Sequence, residues 1–315
     1  MPHLSVVTAC YNEEQNIADV YRLVRAVMES LPPRDGDLYT YEHLFIDNAS
    51  GDRTVEILRG ICAEDDRAKV IVNTRNFGHI RSPFHGLLAA DGDAVISIVA
   101  DLQDPPELIR EFVARWEEGY KVVVGVKKES LERKSMFFMR TLYYRVLGRL
   151  SDVPLIENFT GFGLYDRVVM DKLREIDDPY PYFRGLICDL GYERCEIPYV
   201  QPKRSRGITK NNFYSLYDMA MLGLTNHSKV PLRLATMAGF VLSIVALLVA
   251  LVFLVLKLAF WSQFNLGLAP LLIGIYFFGS VQLFFIGVLG EYILSIHTQV
   301  YNRPLVVEKE RINFD

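Results

Sequence analysis

The sequence predicts an α/β fold with a mostly parallel sheet, followed by a pair of membrane-spanning helices. Strand-like and helix-like patterns alternate from the amino terminus to Val126, and such alternation is typical of a parallel sheet with helices on its faces. Much later, Leu234–Leu256 contains no charged residue over 23 positions. At about 1.5 Å per residue, a helix of that length crosses the roughly 30 Å apolar core of a bilayer.

Each element of the α/β region has its own signal. The strands are short runs of apolar and β-branched residues, which suits a sheet that is buried on both faces. Helices begin at capping or proline signals, such as Asp52 ahead of Thr54 and the pair Pro105 and Pro106. The predicted strands are Leu4–Ala9, Tyr41–Asp47, Lys69–Asn73, Ala94–Ala100 and Lys121–Val126. The predicted helices are Glu13–Ser30, Thr54–Ala63, Arg81–Ala90 and Pro106–Glu118.

Length, charge and motif content weigh against several classes of protein. The chain has 315 residues, more than the roughly 100–200 of a usual single domain, so one large domain with an appendage is expected. Its formal net charge of −4 gives no general case for nucleic-acid binding. The glycine patterns of dinucleotide-binding and P-loop proteins do not occur, which weighs against both classes. The cysteines lack metal-binding spacing and are expected to be reduced core residues. They are Cys10, Cys62, Cys188 and Cys195.

A second uncharged segment, Leu266–Gly290, follows the first one, Leu234–Leu256. The two segments could form a pair of transmembrane helices. A buried core helix is the alternative, and two such runs side by side weigh against it. Lysines and arginines flank the pair while the turn holds only Lys257, so the positive-inside rule predicts a two-pass protein of the cell membrane with both termini in the cytoplasm. The predicted domains are 1–210 for the cytoplasmic α/β domain, 211–232 for an interfacial amphipathic segment, 233–294 for two transmembrane helices (about 234–257 and 266–291) and 295–315 for a cytoplasmic tail.

Polar residues gather where the predicted strands end. The segments Tyr11–Glu14, Asp47–Asp52, Arg75–Gly78 and Asp101–Asp104 each follow a strand, and open α/β sheets bind ligands at the carboxyl ends of their strands. Taken singly, each segment also fits a helix cap or a turn. In the last segment, Asp101 and the residue two positions on, Gln103, point the same way if the chain is extended. With a substrate diphosphate they would hold one Mg²⁺ or Mn²⁺.

These four segments, together with the loop Arg204–Lys210, resemble the dolichyl-phosphate mannose synthase-like, polyisoprenyl-phosphate glycosyltransferases of glycosyltransferase family 2. Gly287–Tyr292 and the pair Arg303 and Pro304 look like the bacterial members. The resemblance implies a GT-A nucleotide-sugar fold and a divalent metal. It also implies inverting transfer of a sugar from a nucleotide-sugar donor, a UDP-sugar being favoured, to a polyprenyl phosphate of the undecaprenyl type. Such a reaction belongs to the synthesis of cell-envelope glycans, and the resemblance leaves a homo-oligomer open.

The resemblance also implies roles for individual residues. Tyr11 and Glu13 would line the nucleotide pocket, and Asp47 would contact the base or ribose. Asp101 and Gln103 would bind the metal. The donor-binding residues would be Ala9, Tyr11, Glu13, Ile46, Asp47, Asn48, Asn76, Ala100, Asp101, Gln103, Lys127, Arg204 and Lys210. The catalytic residues would be Asp101, Glu157, Arg204 and Lys210.

Two basic segments are candidates for contact with phosphate or membrane. The Arg204–Lys210 loop would neutralise a leaving diphosphate, although a solvated turn or a headgroup contact are alternatives. The predicted helix Glu132–Leu150 is basic and amphipathic, so it would lie on an anionic membrane surface or pack against the core with a solvated basic face. The predicted acceptor or membrane contacts are Arg133, Lys134, Arg140 and Arg206.

The chain departs from the family pattern at three places. Val99 stands where the family usually has the first Asp of an Asp-x-Asp motif, and Asn48 stands where a second acidic residue is common. Gly161–Leu164 replaces an Asp-Phe-Arg-Leu segment whose Asp is the candidate base, and the nearest carboxylate upstream is Glu157. The missing carboxylates leave an inactive nucleotide-sugar-binding scaffold open as an alternative. Transfer to a glycolipid hydroxyl and a processive polysaccharide synthase are two further alternatives. A Gln-x-x-Arg-Trp motif, expected for the last, does not occur.

Overall fold

One mixed sheet forms the centre of the computed structural model, which describes residues 1–34, 36, 38–129, 156, 158–202, 221, 230–259 and 268–314. Within these residues the sheet has eight strands. They are β1 (His3–Cys10), β2 (Thr40–Asp47), β3 (Ala68–Asn73), β4 (Ala94–Val99), β5 (Val122–Glu129), β6 (Phe159–Asp166), β7 (Arg194–Val200) and β8 (Glu308–Ile312).

The strand order is β7-β5-β6-β4-β1-β2-β3-β8. Strands β1 to β4 pair in parallel with their neighbours in this series, and β7 pairs in parallel with β5. β6 runs antiparallel to both β4 and β5, and β8 runs antiparallel to β3. The predicted α/β class with a mostly parallel sheet is therefore confirmed.

Helices cover both faces of the sheet. Pro106 opens a short 3₁₀ turn that leads into the fourth helix, as its missing N–H allows at a helix start. The helices are α1 (Ile17–Met28), α2 (Thr54–Glu64), α3 (Gly78–Ala89), α4 (Ile109–Glu117), α5 (Arg167–Ile176), α6 (Phe183–Asp189), α7 (Val230–Ala259) and α8 (Leu268–Tyr301).

Apolar side chains fill the space between helices and sheet. On one face, Val20 of α1 and Phe112 of α4 pack with strand residues such as Ile96. On the other face, Phe84 of α3 and Met170 of α5 belong to a second cluster. Burying a side chain of this size stabilises the fold by roughly 1.5–3 kcal/mol. Because both faces are covered, the central strands are apolar at almost every position, which explains why the sequence signals them so clearly.

The sequence did not signal β6, which lies between β4 and β5. Its residues Phe159–Asp166 include two glycines, and glycine weakens a strand signal. Gly163 is needed for close approach, because a Cβ there would lie 2.5 Å from the Val123 carbonyl oxygen. The glycines weaken the sequence signal of β6, and Gly163 also allows the strand to fit against β5.

The segment predicted as a cytoplasmic tail, 295–315, needs correction. Its first part extends α8 to Tyr301, and its last part forms β8, which pairs with β3. The side-chain amide of Asn313 donates to the carbonyl oxygens of Cys62 and Ala68 at 2.8 and 2.9 Å. The end of the chain is thus a part of the sheet. This pairing joins residues far apart in sequence, so no local pattern reveals it.

Two helices are long enough and apolar enough to cross a membrane, by length and composition. They are α7 and the part of α8 from Ile273 to Tyr301, which matches the predicted pair of spans. Their apolar side chains are largely exposed, and an exposed apolar surface of this extent is typical of a membrane or protein contact. The predicted interfacial segment 211–232 lies mostly outside the described residues.

Candidate active site

The loops after β1 and β2 are bound to each other at the carboxyl edge of the sheet. The backbone N–H of Asn12 donates to the Ser50 hydroxyl at 2.8 Å, and the side chain of Asn12 accepts from the Gly51 N–H at the same distance. The Glu13 N–H donates to the Thr54 hydroxyl at 2.9 Å. These bonds hold two of the predicted polar segments against each other at this edge.

Strained backbone is concentrated at the same edge. Asn12, Ala49 and Leu102 have φ angles of 56°, 60° and 59° and follow β1, β2 and β4. An asparagine adopts this left-handed conformation with little penalty, whereas it costs an alanine or a leucine on the order of 1–3 kcal/mol. Such strain persists where the surrounding structure enforces it, and it is concentrated at functional sites. The left-handed residues after β1, β2 and β4 therefore indicate a functional site at this edge of the sheet.

Asp47 and Ile46 end β2 and are both fully buried. The Asp47 carboxylate accepts from the backbone N–H of Ser50 at 2.9 Å and from the Ser50 hydroxyl. Burial raises the pKa of Asp47, and the bonds from Ser50 oppose this shift. Ile46 packs in the core, so its predicted contact with a donor is limited to its backbone. The donor contacts of both residues stay predictions.

Asn48 holds the loop that follows β3. Its side-chain N–H₂ donates to the Asn76 side chain and to the Gly78 carbonyl, both at 3.0 Å. Its side-chain oxygen accepts from the Phe77 N–H at 2.8 Å and from the Asn73 amide at 3.3 Å. These bonds use both donors and both lone pairs of the amide. The structure thus gives Asn48 a supporting role that the sequence did not suggest, and base recognition by it stays a prediction.

Asp101 and Gln103 lie together in the turn after β4. Both side chains are half-buried, and the Asp101 carboxylate accepts from the Gln103 backbone N–H at 3.1 Å. Among the described residues no group of three or more His, Cys, Asp or Glu side chains is placed to hold a metal. One carboxylate and one amide fit a hard cation such as Mg²⁺ or Mn²⁺ only if other oxygens complete its coordination. A diphosphate supplies such oxygens.

Asp104 is a buried carboxylate beside the candidate metal turn, and the sequence reasoning did not assign it to the site. Its side chain is 2% exposed and accepts from the Tyr199 hydroxyl at 2.9 Å. The Val99 N–H also donates to it, but burial dominates and raises the pKa of Asp104 to about 6. Tyr199 lies near the end of β7, four residues before Lys203. Asp104 therefore ties the candidate metal turn to the strand that leads into the predicted basic loop.

The remaining predicted residues divide into two groups. The described ones line or approach the same edge: Ala9, Tyr11, Glu13 and Lys127 are half-buried, Asn76 is exposed and Ala100 is buried. The Glu13 carboxylate accepts from the Asn16 side chain at 2.7 Å. The others lie outside the described residues, and their roles stay predictions. They are Arg133, Lys134, Arg140, Glu157, Arg204, Arg206 and Lys210.

Two departures from the family pattern lie on neighbouring strands. β6 pairs with β4 up to Gly163 and Ser97, and continuing this register by two residues sets Gly161 beside Val99. Val99 is 41% exposed, so its position is open to the cleft. Gly161 has a φ of 102°, which favours glycine, and its carbonyl accepts from the Tyr165 hydroxyl at 2.9 Å. The chain thus places an apolar residue and a glycine where two carboxylates were expected.

Comparison with known proteins gives consistent results. The model of the family described as "Glycosyl transferase family 2" matches residues 5–174. The "Uncharacterized glycosyltransferase YkcC" of Bacillus subtilis (strain 168) is 35% identical over 96% of this chain and 92% of its own. The "SfII prophage-derived bactoprenol glucosyl transferase" of Shigella flexneri is 32% identical over 98% of this chain and 97% of its own.

A solved structure also aligns with the chain. Glucosyl-3-phosphoglycerate synthase from Mycobacterium tuberculosis, in complex with Mn²⁺, uridine diphosphate and phosphoglyceric acid, is 21% identical, with a TM-score of 0.47 over 71% of this chain and 76% of its own. The family identity rests on the sequence matches instead. The family model covers more than half of the chain, and relatives above 30% identity cover nearly all of it. The chain is therefore a glycosyltransferase with a GT-A-like fold that belongs to glycosyl transferase family 2.

Proposed function

We propose that this glycosyltransferase moves a sugar from a nucleotide-sugar donor, with a UDP-sugar favoured, to a polyprenyl phosphate of the undecaprenyl type at the cytoplasmic face of the membrane. The relative from Shigella flexneri that is named bactoprenol glucosyl transferase aligns with 98% of the chain. The similarity therefore extends beyond the α/β domain to both apolar helices. A lipid-linked acceptor suits an enzyme of this organisation.

The observation that carries the proposal is the way in which α8 joins the sheet. Helix α8 ends at Tyr301, and β8 begins at Glu308. The six residues between them span at most about 20 Å when extended. β8 enters beside Asn73, the last residue of β3, and this is the carboxyl edge where the candidate active site lies. If α8 spans the membrane, the site is held close to the bilayer surface, within reach of a lipid phosphate.

The donor would bind across the four strand ends. Asp101 and Gln103 would hold a Mg²⁺ or Mn²⁺ together with the donor diphosphate, and such an ion offsets the negative charge that grows on a leaving diphosphate. Tyr11, Glu13 and Asp47 would hold the nucleoside. Lys210 and Arg204, which lie outside the described residues, would add positive charge at the diphosphate.

The acceptor chemistry needs little further help from the protein. A phosphate monoester has a second pKa of about 6, so at neutral pH it is mostly a dianion that has no proton to lose. Its oxygen forms a bond to the anomeric carbon as the bond from that carbon to the nucleoside diphosphate breaks, and the diphosphate leaves with the electron pair. A glycine at position 161, where the family usually places a candidate base, is compatible with this acceptor.

The test uses the full-length chain in detergent micelles with Mn²⁺ or Mg²⁺, a panel of UDP- and GDP-sugars, and undecaprenyl phosphate. We expect one sugar to be transferred to the lipid phosphate and no transfer by the Asp101→Asn variant. A glycolipid that offers only hydroxyl groups serves as the competing acceptor. Transfer to that glycolipid alone would contradict the proposal, and so would tight donor binding without turnover across the whole panel.

A further inference from the structure

Three arginines from separate parts of the chain meet where the sheet joins the end of α8. Arg75 follows β3, Arg81 lies in α3, and Arg303 lies two residues beyond α8. The guanidinium carbon atoms of Arg75 and Arg81 lie 4.0 and 5.9 Å from the ring centre of Phe77. Arg81 also donates a hydrogen bond to the carbonyl oxygen of Pro304. We call Arg75, Arg81 and Arg303 the arginine junction.

Among the described residues, no carboxylate neutralises the positive charge of the arginine junction. In the part of the chain that the structure describes, no Asp or Glu forms an ion pair with any of the three side chains. Burial lowers the pKa of Arg81, and the charges of Arg75 and Arg303 lower it further. The Nε atom of Arg81 is buried, and no described group accepts a hydrogen bond from it. Like charges are thus held together at a cost in stability.

Charged residues of β8 and of the helices next to it behave differently. Arg59 pairs with Glu310, and Arg311 and His85 both pair with Glu308. In the loop between α5 and α6, the Asp178 carboxylate accepts hydrogen bonds from the Gln299 side chain at 3.0 Å and from the Tyr180 N–H at 2.9 Å. Acidic groups are therefore available nearby and are used by other partners.

We infer that the arginine junction binds the phosphate group of an anionic membrane lipid. Guanidinium groups are well suited to phosphate because they offer several N–H donors in a planar fork. Arg75 and Arg303 are exposed, so a ligand reaches them without a rearrangement of the core. An anion among the three groups would offset their mutual repulsion.

The position of the junction favours a lipid as the source of that phosphate. Arg303 lies over the ring of Tyr301 at 4.9 Å, and Tyr301 is the last residue of α8. Tyrosines are enriched at the two surfaces of a bilayer, and arginines beside a membrane span are attracted to anionic headgroups. The inference rests on α8 spanning the membrane, as proposed above, and not on the identity of the sugar acceptor.

The experiment measures the thermal stability of the full-length protein in an uncharged detergent while a short-chain lipid is added. Dihexanoyl phosphatidylglycerol carries a net negative charge, and dihexanoyl phosphatidylcholine is its zwitterionic control. A ligand that binds only the folded protein raises the Tm in a saturable manner. We expect the anionic lipid to do so, and Arg303→Gln and Arg75→Gln each to weaken its apparent affinity about fivefold. Arg22→Gln, on α1 and away from the junction, should leave this affinity unchanged.

Two further arms identify the source of the phosphate and guard against misfolding. Inorganic phosphate that raises the Tm as strongly as the lipid would support a phosphate site but overturn the lipid as its source. UDP that displaces the lipid from the wild-type protein would overturn the inference by assigning the arginines to the donor. Equal effects of the two lipids, or equal affinities of wild type and both exposed-arginine variants, would also overturn it. Because no arm requires sugar transfer, failure here is distinct from failure of the proposed reaction.

Discussion

At the scale of single residues, Asp101 and Asp104 lie three positions apart and have opposite surroundings. Asp101 is half-buried at the cleft, whereas Asp104 is enclosed and bonded to Tyr199. We expect Asp101→Asn to lower metal-dependent UDP affinity by more than about a hundredfold, because loss of a supporting group alone costs 10–100-fold at metal sites. Calorimetric titration of UDP with and without Mn²⁺ measures this effect.

The matched control is Asp104→Asn, which keeps an oxygen that can accept from the Tyr199 hydroxyl. Its effect on the same titration should be about tenfold or less, the size of one altered hydrogen bond. Equal losses in the two variants would show that Asp101 is not the metal ligand, or that the buried carboxylate of Asp104 also acts on the ion.

Gly161 offers a second prediction at this scale. Its φ of 102° is a conformation that other residues adopt only under strain. A Cβ atom would have room, since its nearest neighbour would be the Phe183 ring at 3.7 Å. Restoring the family carboxylate with Gly161→Asp should therefore lower the free energy of unfolding by about 1–3 kcal/mol through backbone strain.

Chemical denaturation of the variants measures this cost. Gly60→Asp is the control, because Gly60 lies in α2 with ordinary helical geometry and nothing within 4 Å of an added Cβ. A Gly161→Asp protein as stable as wild type would indicate that the backbone at position 161 relaxes freely.

At the scale of elements, Glu308 of β8 connects this edge strand to α3 through His85. The Glu308 carboxylate accepts from Arg311 at 2.6 and 2.8 Å and pairs with His85 at 2.6 Å. The Arg311 bond comes first among the causes that lower the pKa of Glu308 from 4.5 to about 2. A lowered pKa in the folded state adds stability above the unfolded value, and this stability is lost as the pH falls through the folded value.

We therefore expect the Tm of the wild-type protein to fall between about pH 4.5 and pH 2, and the Glu308→Gln variant to lack part of this fall. Differential scanning fluorimetry across this range is a direct measurement. Glu175→Gln, which removes an exposed carboxylate on α5, is the control for a general charge effect. Parallel curves for wild type and Glu308→Gln would mean that the contact does not hold β8 in place.

Some elements could be predicted from the sequence and others could not. Strands β1 to β5 were predictable because burial on both faces demands unbroken apolar runs, and the four cleft segments follow from their ends. β8 was not predictable, because Glu308–Ile312 is mostly charged and gains its order from pairing with β3. The roles of Asn48 and Asp104 were hidden for a similar reason, since the partners of a buried polar group depend on the tertiary structure.

At the scale of the whole molecule, β8 constrains the membrane topology. β8 belongs to the same sheet as β1, so if α7 and α8 cross a membrane as proposed, the chain must return to its starting side after them. Two crossings satisfy this requirement. We expect an impermeant thiol reagent to label Lys257→Cys only from outside the cell and Lys309→Cys only from the cytoplasmic side.

Inverted and right-side-out membrane vesicles allow this comparison, in a Cys195→Ser background because the other three cysteines are buried. Labelling of both positions from the same side would show that the two helices do not cross as a hairpin. The proposed location of the active site would then have to be abandoned as well.

The identity of the acceptor is a property of the whole enzyme, and Glu157 tests it. A lipid phosphate is already an anionic nucleophile at neutral pH and does not need a base. A sugar hydroxyl does need one, and a positioned base contributes typically about 10²–10⁴-fold. Gly161 has no carboxylate, so Glu157 is the nearest upstream group that could serve a hydroxyl acceptor.

We therefore expect Glu157→Gln to lower the turnover with undecaprenyl phosphate by less than about tenfold, since base catalysis is a minor contribution with this acceptor. Steady-state kinetics together with a titration of the donor separate turnover from donor binding. A loss of about a hundredfold or more with unchanged donor affinity would identify Glu157 as an essential base. That result would favour a glycolipid hydroxyl as the acceptor, because only a hydroxyl must lose its proton as the new bond forms.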